Sequence, residues 1–177
     1  MKKAIPVWQM GGFVFTAVAG TLLHFLFDWT GSSLIVALFS AVNESIWEHL
    51  KLLFYPAIAV AVVEYLFWGK ENKSFWCTKL IGIAVGVVMI PMLYYTYTGA
   101  LGVKVDWFNI TIFFVVAALV YWLETKLFLT GFSCRLGDKP AVGLICVMAV
   151  AFTILTFVPP HIPLFQDPIT ESYGFCV

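Results

Sequence analysis

The sequence predicts an all-α integral membrane protein, a five-helix transmembrane bundle with a short re-entrant or interfacial helix after the first span. Two observations predict this class. Hydrophobic residues make up 62% of the 177-residue chain, whereas charged residues make up only 11%. In addition, five apolar segments reach the roughly 20 residues that a helix needs to cross the hydrocarbon core. Long uncharged runs are unstable in water, so the expected environment is the lipid bilayer.

The first span is predicted at about residues 5–29, with Trp8 and Trp29 suited to its two membrane interfaces. Polar and glycine residues at 9–12 interrupt the apolar core that a cleavable signal peptide needs, so we expect this span to stay in the protein. Residues 34–42 are apolar, but at ~1.5 Å per residue they are too short to cross. They are therefore predicted to form the re-entrant or interfacial helix.

Four further spans follow, and the whole of residues 1–177 is predicted to form a single transmembrane domain. Asn43 is expected to cap the second span, with Glu44 in its first turn, where a carboxylate suits the helix dipole. Four prolines in the tail, residues 159–177, predict an extended, extracytoplasmic segment without helix. The four spans are expected at about residues 44–68, 75–97, 107–129 and 140–158.

The basic residues predict the orientation. With the N-terminus in the cytoplasm, eight of the ten Lys and Arg residues fall on the cytoplasmic side, and only Lys51 and Lys104 fall outside. An excess of basic residues on the cytoplasmic side is typical of multi-pass proteins. We therefore expect a protein of the cell (plasma) membrane with a cytoplasmic N-terminus and an extracytoplasmic C-terminus.

In this topology all three histidines and six of the ten acids lie on the outer side. His24 and Asp28 are four residues apart and share one face of the first span, and Glu44 and Glu48 repeat that spacing in the second. Polar groups gathered at one membrane depth are costly and often mark a site. The candidate residues of this outward-facing pocket are His24, Asp28, Asn43, Glu44, Glu48, His49 and Asp167.

Three functions compete for this pocket. Carboxylates and neutral imidazoles favour positive charge, which indicates binding or transport of a cation or a small cationic solute. Alternatively, His24, His49 and Glu48 would hold a divalent metal ion such as zinc, as in a membrane-embedded metal-dependent hydrolase acting on lipid or peptide. The third possibility is a helical subunit that supports a larger membrane complex, with protein partners that the sequence does not identify.

Other features point to no further chemistry. The net charge of zero and the lack of a basic tract exclude a typical nucleic-acid partner. The four cysteines are scattered, without zinc-finger or redox spacing, and are expected to be structural. Glu124 is expected to reach water beside Lys126 near a helix end, and Glu64 to be a deeper acid that either reaches inward or relays protons.

The stretch LFSAVNESIWEHLKLLFYP (residues 38–56) and the tail segment PPHIPLFQDPIT resemble a family of small bacterial integral membrane proteins. That family is catalogued only as a domain of unknown function. The resemblance covers the whole chain and is carried mainly by Asn43-Glu44-Ser45, Trp47-Glu48-His49 and Asp167-Pro168. It implies the membrane fold but no activity, and at Glu171 the typical tail of the family has glycine.

Overall fold

The computed structural model describes residues 3–175, and within that range the chain forms five long α-helices and no β-strand. All five are long and apolar enough to cross a membrane, which confirms the predicted helical membrane class. At 20 to 27 residues they extend roughly 30–40 Å. The helices are α1 (Ile5–Trp29), α2 (Ile46–Phe67), α3 (Phe75–Leu101), α4 (Asp106–Thr130) and α5 (Asp138–Phe157).

The first four helices form a ring in which α2 packs between α1 and α3, and α4 closes the ring against the same two helices. Helix α5 lies outside the ring against α3. In the most apolar part of α2, 56% of the residues are buried, against 22% in α1 and in α5. Helix α2 is therefore the central element, and α1 and α5 leave most of their surface exposed on the outside of the bundle.

The two ends of the bundle differ in composition. We call the end formed by residues 30–45, 102–105 and 158–175 the histidine end, because His24, His49 and His161 lie in it or next to it. The opposite end, formed by residues 68–74 and 131–137, is the lysine-rich end.

At the histidine end, residues 34–42 contain a short helix, a single 3₁₀ turn at Val36–Leu38. The start of α2 differs from the prediction. Asn43 is not the N-cap of α2. The helix begins two residues later, with the Ser45 side chain accepting from the backbone N–H of Glu48, while the Asn43 side chain accepts from the backbone N–H of Ser45. Glu44 consequently lies outside the helix.

The tail is folded rather than extended. It contains a 3₁₀ turn at Pro163–Phe165, an antiparallel bridge between Gln166 and Tyr173, and a hydrogen bond from the backbone N–H of Phe175 to the Thr156 carbonyl. Glu171 has a φ of 58°, in the left-handed region that favours glycine.

At the lysine-rich end, Cys77 in the first turn of α3 forms a disulfide with Cys134 in the α4–α5 loop. The scattered spacing of the cysteines gave no sign of this pair, because the two residues are 57 positions apart. The backbone N–H of Cys77 also donates to the side chain of Asp138, the first residue of α5. These contacts fix the α4–α5 loop against the start of α3. Cys176 lies outside the described residues.

Candidate functional site

Side chains of α1, α2 and the loop between them converge at the histidine end. The Nε2 atom of His24 lies 3.7 Å from one Glu44 oxygen, and the Nε2 atom of His49 lies 3.4 Å from the other. The two imidazole rings are 5.1 Å apart between centroids. All three potential ligand atoms lie within 4.8 Å of one another. The side chains are 27% to 43% exposed, so the group is open to small solutes.

The loop after α1 brings Glu44 to the two histidines. Ser40 anchors this loop by accepting from the backbone N–H of Phe27 and donating to the Leu23 carbonyl. The loop therefore folds back along the last turns of α1 before α2 begins. Because Ser45 rather than Asn43 caps α2, the Glu44 side chain is free to turn towards His24 and His49.

The ring of His49 is held in a defined orientation. Its Nδ1 atom lies 2.8 Å from the Ser45 carbonyl oxygen. A carbonyl can only accept, so Nδ1 carries the hydrogen and Nε2 faces Glu44. A histidine that ligates a metal commonly donates its other N–H to a backbone carbonyl in this way. In His24, the Nδ1 atom is buried without a hydrogen-bond partner.

Glu44 is a carboxylate at neutral pH. A hydrogen bond with the His49 side chain is the main cause that lowers the pKa of Glu44 below its usual value, and partial burial opposes that effect. The charge of His49 lowers this pKa further. An ionised oxygen ligand is thus available beside two imidazoles.

A cleft of about 480 Å³ opens beside these three residues. Its walls are mainly apolar, and the polar residues Thr21, Lys104, Asp106 and Asn109 line it as well. Phe25 of α1 and Ile110 and Phe114 of α4 line the cleft and are exposed. The apolar lining comes from all four helices of the ring and includes Phe25, Leu52, Ile90, Ile110, Ile112, Phe113 and Phe114.

Glu48, expected to be a ligand with the two histidines, lies outside this group. Its carboxylate forms an ion pair with Lys51 and accepts from the Thr156 hydroxyl at 2.8 Å and from the backbone N–H of Val42 at 3.1 Å. Both oxygens therefore have partners, and only 1% of the residue is exposed. The structure places Glu44, rather than Glu48, beside His24 and His49.

The other predicted residues have different positions. Asp28 is exposed at the end of α1. Asn43 donates to the Gly174 carbonyl at 3.0 Å and so ties the tail to the α1–α2 loop. Asp167 is buried and accepts from the backbone N–H of Ile169, which shapes the turn that brings residues 168 and 169 to the cleft.

A second charged group, which the sequence interpretation did not assemble, lies near the lysine-rich end. Lys79 forms ion pairs with both Glu64 and Glu124, and all three are buried. The expectation that Glu124 reaches water beside Lys126 is therefore wrong. The sequence does carry a sign of a buried polar face in α1. Small or polar residues recur there at helical spacing and are buried, namely Gln9, Gly12, Thr16 and Gly20.

No curated protein and no solved structure matches the chain. A family model does match residues 1–175, which is nearly the whole sequence. The chain therefore belongs to the family of unknown function DUF6512, in agreement with the resemblance to a domain of unknown function.

Proposed function

We propose that this protein binds a divalent transition-metal ion of the zinc class through His24, Glu44 and His49. The observation that carries the proposal is the approach of three ligand atoms to within 4.8 Å of one another. Zinc bonds of ~2.0–2.1 Å at tetrahedral angles hold ligand atoms about 3.3 Å apart. With one Glu44 oxygen counted, the three ligand atoms lie up to 4.8 Å apart, so they would have to close by as much as about 1.5 Å around such an ion.

The orientation of His49 suits a metal ligand as well as a protonated ring that pairs with Glu44. With its hydrogen on Nδ1, a neutral His49 directs the lone pair of Nε2 towards a carboxylate oxygen. Two acceptors at that distance repel each other unless a proton or a cation lies between them. A metal ion bridging the two atoms satisfies both, and the Ser45 carbonyl then acts as the outer partner that fixes the ring.

Three protein ligands leave a coordination position of a tetrahedral ion open towards the cleft. Structural zinc sites are usually closed by four protein ligands, whereas sites that exchange or process a ligand keep one position free. The expected role is thus reversible binding of a cation from the histidine end, as in uptake or transport across the membrane.

Hydrolysis of a lipid is the second candidate, and the cleft favours it. Its walls are mainly apolar and include exposed residues of α1 and α4, so a bilayer around these helices would give an acyl chain access to it. A bound zinc ion would supply an activated water as the nucleophile, and Asp106 also lines the cleft as a second acid besides Glu44.

Metal binding is tested with purified protein in detergent micelles. Zinc is removed with a chelator and then titrated back in a calorimeter, with the bound metal counted by mass spectrometry. We expect one ion per chain. His49→Gln and Glu44→Gln should each weaken binding by more than about 100-fold, because even outer partners of a metal contribute about 10–100-fold.

His161→Gln is the matched control, since His161 is exposed in the tail and its ring packs on Tyr173, away from the cluster. Its zinc affinity should equal that of the unchanged protein. Equal binding by all the variants, or no binding by the unchanged protein, would refute the proposal. Release of fatty acid or headgroup from vesicles by the zinc-loaded protein would favour hydrolysis over transport.

We also infer the placement of the molecule in the cell. The basic residues favour a plasma-membrane protein whose lysine-rich end faces the cytoplasm. The cluster and the cleft would then open to the outside, where they meet extracellular cations. Cysteine labelling on intact cells tests this orientation separately from metal binding.

A further inference from the structure

One lysine holds two carboxylates in the half of the bundle near the lysine-rich end. The Nζ atom of Lys79 in α3 contacts Glu64 of α2 and Glu124 of α4, and no side chain of the three is more than 2% exposed. Gln9 of α1 donates from Nε2 to the other Glu64 oxygen at 2.9 Å. Every helix of the ring thus contributes one member to this buried cluster of Gln9, Glu64, Lys79 and Glu124.

The cluster lies inside the bundle rather than at its surface. Glu64 precedes the end of α2 by three residues and Lys79 follows the start of α3 by four, which places both about 5–6 Å from the helix ends. The rings of Phe75, Tyr121 and Phe128 surround the ammonium group at 5.5 to 5.8 Å. The surroundings are therefore of low polarity, where an unbalanced charge is costly.

The charges of the cluster do not balance when every group is ionised. Two carboxylates face one ammonium, and among residues 3–175 no second cation forms an ion pair with either acid. A net negative charge at this depth is unfavourable, and two carboxylates that share a site do not both ionise readily. One proton on either acid makes the cluster neutral.

Gln9 can form a hydrogen bond with Glu64 whether that acid is ionised or protonated. In the structure its Nε2 donates to the carboxylate, and its Oε1, in a residue 1% exposed, has no partner. A half-turn of the amide would bring Oε1 to Glu64, where it accepts from a protonated carboxyl group. The unpartnered oxygen is thus the acceptor that a proton on Glu64 requires.

We propose that Glu64 and Glu124 share one exchangeable proton beside Lys79, which makes the cluster a proton-binding site. The groups that face it are Gln9 from α1, Glu64 from α2, Lys79 from α3, and Tyr121 and Glu124 from α4. The Tyr121 hydroxyl is itself hydrogen-bonded to Thr16 at 2.6 Å. The proposal does not depend on metal binding at the histidine end.

Infrared difference spectroscopy detects such a proton directly. Purified protein in lipid nanodiscs is cycled in pH, in H₂O and in D₂O, and the C=O stretch of a protonated carboxylic acid is followed. We expect a band that titrates and shifts in D₂O. In Glu64→Gln and in Glu124→Gln alike this band should disappear, because the one remaining acid is neutralised by Lys79.

Glu71→Gln is the control, since Glu71 is an exposed acid at the same end of the bundle, and it should retain the band. A fixed ion-paired cluster without a proton would give no titrating band in the unchanged protein, and an unrelated acid would leave the band intact in both variants. Either result overturns the proposal. Should both glutamine variants fail to fold, Glu124→Asp keeps the carboxyl group and must shift the band, and an unshifted band counts against the proposal.

Discussion

Glu44 and Glu48 are one helical turn apart in sequence, but their carboxylates have different surroundings. Glu44 precedes α2, is 43% exposed at its side chain, and faces two imidazoles. Glu48 is inside α2, is 1% exposed, and forms an ion pair with Lys51. The first environment leaves a carboxylate available to an ion from solution, whereas the second fills its hydrogen-bonding capacity with protein groups.

This difference predicts that neutral substitutions at the two positions change different properties, stability at Glu48 and metal binding at Glu44. Glu48→Gln should lower the free energy of unfolding by about 3 kcal/mol, because Lys51, with no exposed surface, loses the charge that compensates it. Glu44→Gln should change stability by less than about 1 kcal/mol, since Glu44 is partly exposed, and should instead remove metal binding. Denaturant unfolding in micelles, followed by circular dichroism, measures both.

A double variant, Glu48→Gln with Lys51→Met, serves as the control for the ion pair. Removing both charges should recover much of the loss, because the penalty comes from one buried charge without its partner. A Glu48→Gln protein of unchanged stability with weakened zinc binding would instead place Glu48 in the metal site.

At the scale of elements, one face of α1 consists of small or polar residues. Gly12 lies against Tyr121, and Gly20 lies against the Leu52 carbonyl and the ring of Phe113. Small residues let membrane helices approach closely where no hydrophobic force drives them together. This close approach holds α1 against both α2 and α4 beside the cleft, and it continues to Gln9 in the buried cluster.

Gly20→Ala should therefore destabilise the bundle by about 1–3 kcal/mol, the usual cost of overpacking. Its Cβ would lie 2.6 Å from the Leu52 backbone oxygen and 2.7 Å from Phe113, so α1 must move away. Because Gly20 also lines the cleft, zinc affinity should fall as His24 shifts. Thermal unfolding and the zinc titration report the two effects.

Gly11→Ala is the matched substitution in the same helix. A Cβ at Gly11 meets nothing within 4 Å, so alanine should be neutral or stabilise by up to about 1 kcal/mol through its helix propensity. Equal losses in the Gly11 and Gly20 variants would mean that close packing of α1 does not decide the stability of the bundle.

The sequence predicted the helices because apolar length is a local property, and it placed His24 and His49 at one depth for the same reason. It did not predict which carboxylate joins them, since that depends on whether Asn43 or Ser45 caps α2, and both side chains are good caps. The sequence predicted Lys79, five residues from a loop, as one of the basic residues on the cytoplasmic side. Its burial depends on partners from other helices, which no local pattern reveals.

At the scale of the whole molecule, the buried lysines sharpen the charge asymmetry. Lys51 and Lys79 are ion-paired inside the bundle, so their positions do not indicate which loops are cytoplasmic. Without these two lysines, six basic residues among residues 3–175 lie at or near the lysine-rich end, and one, Lys104, lies at the other. This asymmetry strengthens the inference that the lysine-rich end is cytoplasmic.

The disulfide between Cys77 and Cys134 points the other way, because it lies at the lysine-rich end and disulfides persist mainly in oxidising compartments. A cytoplasmic lysine-rich end requires these two thiols to be reduced in the living cell. Trapping of thiols with a permeant alkylating reagent before lysis should then find both cysteines modified, whereas an external lysine-rich end would protect them as a disulfide.

Cysteine labelling decides between the two orientations. Single cysteines are placed at Lys104 and at Lys73, both exposed, in a variant whose four native cysteines are serine. With the histidine end outside, Lys104→Cys should react with a membrane-impermeant maleimide on intact cells, and Lys73→Cys only after permeabilisation, because the bilayer blocks the charged reagent. The reverse pattern would place the lysine-rich end and its disulfide outside, and the His24–Glu44–His49 cluster would then face cytoplasmic metal ions.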